Sequence, residues 1–142
     1  MDVVEWLDQY RALYEYAMKC ARRLDEARHQ SLRSPSFDRG TKHSGTFTLD
    51  LPAAKIEVAE KRYRKAKEKL FSRLNELADM IDQLDEYGQK LVLMYRYILG
   101  MTWEQIAKKM PYSVKTIQRI HGRALKALDE ILKNRKEETH DT

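Results

Sequence analysis

Six basic side chains crowd into one stretch of this sequence that holds no acid. From Gln105 to Leu128 there is neither Asp nor Glu, while Lys108, Lys109, Lys115, Arg119, Arg123 and Lys126 all fall inside it. A polyanionic partner is the simplest reason for a surface to be cleared of one sign of charge. The chemistry such residues offer is recognition. Ammonium and guanidinium groups neutralise phosphates, and a guanidinium can also bind guanine O6 and N7 through two bonds. A solvated helix face is the bland account of the same stripe, so the elements that carry the cations decide between the two.

Those elements read as a helix-turn-helix. Thr102 is placed to cap a helix, and Gln105 stands three residues on to complete a capping box. Ile106 and Ala107 face inward, and the small Ala107 lets two helices cross closely. Pro111 has no N–H to donate and ends that helix. Ser113 then caps a second helix, predicted over 114–128. On it Ile117, Ile120, Ala124, Leu125 and Leu128 form the inward stripe. Lys115, Gln118, Arg119, Gly122, Arg123 and Lys126 take the other side. In this geometry the first turns of the second helix enter the major groove of double-stranded DNA. Lys115, Gln118 and Arg119 are then placed to read base edges, and Lys108, Lys109, Ser113, Arg123 and Lys126 to hold phosphates. Trp103 and Tyr95 are expected in the core, and His121 as a partly exposed helix residue.

The rest of the chain must position this unit. Its 142 residues carry a net charge of +5, with 35% charged and 42% hydrophobic side chains, which suits a thin helical core. Breakers are scarce, and that favours long helices. Val3, Trp6, Tyr10, Leu13, Ala17, Cys20, Leu24 and Ala27 alternate by three and four, the seam of a helix to about Gln30. A breaker-rich segment near 31–52 reads as a mobile loop. A second helix, starting near Pro52, has its seam at Ile56, Ala59, Tyr63, Ala66, Leu70, Leu74, Leu77, Ile81 and Leu84. The expected fold is all-α. A long, coiled-coil-like helical hairpin over 1–84 precedes a helix-turn-helix unit over 85–132, and 133–142 is a frayed tail. Within the second unit a break is expected near Gly88. Leu91, Val92, Met94, Tyr95, Ile98 and Leu99 should form an apolar helix face that Gly100 ends in a left-handed cap. The basic run Lys61, Arg62, Arg64, Lys65, Lys67 and Lys69 has Glu60 and Glu68 beside it, as a solvated face would.

Other classes are hard to defend. Cys20 is alone and cannot form an internal disulfide, and its seam position suggests a buried, inert thiol. His29, His43, His121 and His140 lack metal-ligand spacing, and no glycine-rich phosphate loop is present. Neither an enzyme nor a cofactor is expected. No apolar run approaches membrane-spanning length, and the N-terminus lacks the basic start of a signal peptide. The expectation is a soluble cytoplasmic protein.

From Leu91 to Leu128 the residues resemble region 4 of the bacterial sigma factors. The pattern is an apolar helix ending in Tyr95-Arg96-Tyr97, then Thr102-x-Glu104-x-Ile106-Ala107, then Ser113-x-x-Thr116-Ile117-x-x-Ile120-x-x-Arg123-Ala124-Leu125-x-x-Leu128. The whole layout is similar to phage and prophage regulators of the ArpU and RinA type. The resemblance implies a sequence-specific DNA-binding regulator in a bacterial host cell, an activator of phage or prophage genes. A phage terminase small subunit or a polymerase-binding module are the alternatives. Double-stranded DNA is the implied partner, with RNA polymerase and a second copy of the chain, met through the N-terminal helices, as candidates. Two departures stand out. Val114 and Lys115 occupy positions where sigma factors commonly carry Arg and Glu, and Met110-Pro111 stands where Leu-Gly is common.

Overall fold

Asp2 and Asp129 fix where the first helix begins. The Asp2 carboxylate accepts the Glu5 N–H at 2.9 Å, and the Asp129 carboxylate accepts the Val3 N–H at 3.0 Å. Both bonds satisfy N–H groups that a helix start leaves without a partner. The computed structural model describes the backbone of residues 1–33 and 45–140, and side chains over 1–30 and 52–138. Among those residues no strand occurs. The helices are α1 (Val3–Arg33), α2 (Gly45–Asp82), α3 (Tyr87–Leu93), α4 (Trp103–Lys109) and α5 (Val114–His140), with a π-helical turn over Met94–Ile98 that continues α3. The all-α expectation holds, and α1 and α2 are the arms of a long N-terminal hairpin.

Contacts divide the chain into two units. One joins Met1–Arg11 to Ser72–Thr142, and the other is Ala12–Phe71. The sequence placed a boundary near Asp85. In the structure the unit that holds the helix-turn-helix also includes the first turns of α1 and the last turns of α2. In that unit Trp6 and Tyr10 stack with ring centroids 6.5 Å apart, and the Arg73 guanidinium lies over Trp6 and donates to Gln9 at 3.3 Å. Leu77, Met80 and Ile81 from α2 and Leu84, just after its end, are buried, as are Val3, Trp6, Leu7 and Tyr10 from α1. In the other unit Arg28 of α1 pairs with Glu60 of α2 at 3.3 Å, and Ala17, Cys20, Leu24, Ala66 and Leu70 are buried. Every seam position read on α1 is at least partly covered, Cys20 among the buried ones.

Several element bounds differ from the sequence reading. The segment expected as a loop near 31–52 is helical at 31–33 and again from Gly45, and its centre, 34–44, lies outside the described residues. α2 therefore starts seven residues before Pro52, which sits inside the helix. A proline there removes one ladder bond, a local cost that the long helix around it absorbs. The break before the third helix falls at 83–86 rather than at Gly88, which lies inside α3. α5 runs on to His140, past the point where a frayed tail was expected.

The apolar face expected on the third helix is also revised. Leu93 is fully buried, whereas Met94 and Leu99 are exposed at 40% and 60%. At Met94 the inward side is set by the buried pair Val92 and Leu93, which turns Met94 outward. At Leu99 the π turn adds its own shift, since one wider turn displaces the residues after it relative to a regular 3.6-residue pattern. Leu99 donates to the Met94 carbonyl at 3.0 Å, closing that wide turn. Gly100 follows at φ 67, the left-handed cap the sequence predicted.

Candidate nucleic-acid interface

The caps at the two helix starts are built as the sequence spelled them. The Thr102 hydroxyl accepts the Gln105 N–H at 3.2 Å, and the Gln105 side chain accepts the Thr102 N–H at 3.0 Å. At the start of α5 the Ser113 hydroxyl accepts the Thr116 N–H at 3.1 Å. Between them the turn is closed in an unusual way. Met110 caps α4, and Pro111 stands next, where no N–H is available to close the helix end. The Tyr112 N–H donates to the Ala107 carbonyl at 3.2 Å. That is the outer bond of a Schellman closure. The inner bond would come from the N–H of residue 111, and proline has none.

Both helices are held by one core. Val92, Ile106, Met110 and Ile117 are buried together, with Leu91, Tyr95, Met101, Trp103, Ala107 and Ile120 packed around them. Ala124 and Leu128 continue the buried stripe along α5 and are fully covered, as is Ile117. Trp103 and Tyr95 therefore take the core role read from sequence. With one face of α5 committed inward, its opposite face is set by helical geometry.

That opposite face carries Lys115, Gln118, Arg119, Arg123 and Lys126, while Lys108 and Lys109 lie in the last turn of α4 and Ser113 just before α5. Lys115, Gln118 and Arg119 are exposed, as are Lys108, Lys109, Ser113, Arg123 and Lys126. Lys115, Arg119, Gly122 and Lys126 follow one another at helical spacings of four, three and four, a single line along α5. Gly122 leaves open space in that line, with nothing within 4 Å of where a Cβ would stand. Ser113 is the one member already engaged. Its hydroxyl donates to the Thr116 hydroxyl at 3.0 Å, so a phosphate contact requires that hydroxyl to turn outward.

A cluster that the sequence reading missed supports α5 from behind. His121 points toward α3 and α4 rather than toward a ligand. The Tyr97 hydroxyl lies 2.8 Å from His121 Nε2, and the Trp103 ring meets the imidazole edge-on at 4.8 Å. Arg96 lies over Trp103 with its guanidinium 4.3 Å from the ring and donates to the Met101 carbonyl at 3.0 Å. Burial, and then the Arg96 charge, lower the His121 pKa from 6.5 to about 4. A neutral imidazole can accept the phenol proton at Nε2. Burial raises the Tyr97 pKa, against the lowering effects of Arg11 and Arg96, and keeps the phenol protonated. The sequence signal was the Tyr95-Arg96-Tyr97 run. Nothing in it marks the π turn that aims Arg96 and Tyr97 at Trp103 and His121.

Among the described residues no group of His, Cys, Asp or Glu could hold a metal ion, and no helix is long and apolar enough to cross a membrane. No curated protein and no solved structure matches the chain. Residues 74–128, however, match the family described as Sigma-70, region 4. The match begins in α2, upstream of the Leu91 start read from sequence and close to Ser72, where the second segment of the unit containing α3–α5 begins. The C-terminal part of this chain is a sigma region 4-like helix-turn-helix.

Proposed function

We propose that this protein is a sequence-specific, double-stranded-DNA-binding transcriptional regulator that inserts α5 into the major groove. The observation that carries this reading is the exposed face of α5 from Val114 to Leu128, which holds no acid, on a helix-turn-helix whose other face is packed away. Lys115, Gln118 and Arg119, on the first turns, address base edges, while Lys108, Lys109, Ser113, Arg123 and Lys126 address phosphates. The resemblance to phage and prophage regulators supports an activator of such genes. The region 4-like unit likewise makes RNA polymerase a candidate partner, and a second copy of the chain remains the other candidate.

The test is selection of bound fragments from sheared bacterial and phage genomic DNA at physiological salt, with Arg119→Ala as the control. Enrichment of a discrete intergenic site that the variant loses is the expected result. Enrichment confined to packaging genes would move the reading to a terminase subunit. No enrichment at all would refute sequence-specific binding and leave the sigma-like unit as a protein-binding module.

A further inference from the structure

Beyond this DNA-reading role, the unit formed by Ala12–Phe71 carries a feature the role does not use. An open groove of about 930 Å³ runs between α1 and α2 of that unit. Along α1 it extends from Tyr16 to Gln30, about 21 Å at 1.5 Å per residue, which is the length of a four-turn helix. Its floor is apolar, with Cys20, Ala27, Ala54, Val58 and Ala59. Tyr16 and Val58 stand in it more than half exposed, at 56% and 51%. Its rim is basic. Lys19, Arg22, Arg23, Lys55 and Arg62 surround the floor, against the single acid Glu26.

We infer that this groove docks an acidic amphipathic helix of a partner protein. The floor asks for an apolar stripe, which a nucleic acid backbone does not offer. The rim asks for carboxylates on both flanks of that stripe. One helix supplies both, with anchors at i, i+3, i+4 and i+7 and acids beside them. A second copy of this face would set five cations against five, so the charge complementarity selects a different, acidic chain. The wider unit agrees, since Lys and Arg clearly outnumber Asp and Glu within 12–71.

The test uses the full chain and three synthetic helical peptides of about 20 residues, long enough to span the groove. One has a leucine stripe flanked by glutamates, one the same stripe flanked by lysines, and one a serine stripe flanked by glutamates. Fluorescence anisotropy at physiological salt reads binding. The glutamate–leucine peptide should bind with a Kd of about micromolar order and the other two far more weakly. The double variant Arg23→Glu/Arg62→Glu changes only exposed side chains. It should weaken that peptide about tenfold and favour the lysine-flanked one, with genomic-site binding by α5 retained. Val58→Asp should abolish binding, with circular dichroism checking that the chain stays helical. Equal binding of all three peptides, or none, overturns the inference. So does competition of the peptide by non-specific duplex DNA with loss of DNA affinity in the double variant, which would make this face a nucleic-acid surface. Self-association removed by Val58→Asp would make it a dimer interface. Failure here leaves the α5 reading untouched, because the two faces are scored by different ligands.

Discussion

At the residue scale, Arg119 and Arg123 carry the same charge one turn apart, and their expected roles differ. Arg119 lies on the line that starts at Lys115, near the beginning of α5, where base edges come within reach. Arg123, further along, is assigned to phosphate. Arg119→Ala should therefore relax preference at one base position by about 1–3 kcal/mol. Arg123→Ala should weaken binding to all sequences alike and reduce the salt slope by about one. Competition binding over a panel of sites and salt concentrations separates these outcomes; equal loss of preference in both variants would overturn the division. His121 gives a second prediction. With its folded pKa near 4 and its unfolded pKa near 6.5, the folded state binds fewer protons between those values. The stability it contributes is complete above about pH 6.5 and is lost as pH falls toward 4. His121→Gln should flatten the melting temperature across that window relative to the parent chain. An unchanged profile would mean that His121 does not titrate there.

At the element scale, the turn between α4 and α5 holds a correctable fault. Pro111 withholds the N–H that the inner bond of the closure lacks. Pro111→Gly supplies that donor, against the entropy glycine adds to the unfolded chain. The net expectation is a gain of about 1 kcal/mol, read by chemical denaturation. A loss of stability would show that proline's rigidity outweighs the missing bond. The opposite sign is expected at the cap beside it. Ser113→Ala removes the acceptor for the Thr116 N–H and should cost about 1 kcal/mol.

At the scale of the whole molecule, the unit that holds the helix-turn-helix is discontinuous in sequence. Met1–Arg11 belongs with Ser72–Thr142, and Trp6, only 4% exposed, is its largest N-terminal side chain. Trp6→Ala should destabilise by about 3–5 kcal/mol. The chain has two tryptophans, so the variant leaves Trp103 as the sole indole, inside the helix-turn-helix. Its fluorescence should then unfold at distinctly lower denaturant than in the parent. A Trp103 transition that does not move would mean that the helix-turn-helix folds independently of α1.

Local rules were readable from sequence wherever a short pattern decides the structure. The Thr102–Gln105 capping box, the Ser113 cap, the left-handed Gly100 and the apolar stripe of α5 each depend on residues within one or two turns. The α1 seam was legible for the same reason. The acid-free stripe was visible as well, since a helix that buries Ile117, Ala124 and Leu128 must turn Lys115 and Arg119 the other way. Tertiary structure decided what no local pattern encodes. The π turn over Met94–Ile98 shifts the residues that follow it, and its own Arg96 and Tyr97 meet partners on α4 and α5. The carboxylate of Asp129 meets a backbone N–H from the far end of the chain. Those contacts join residues distant in sequence, and their free energy comes from packing that no single helix's periodicity contains.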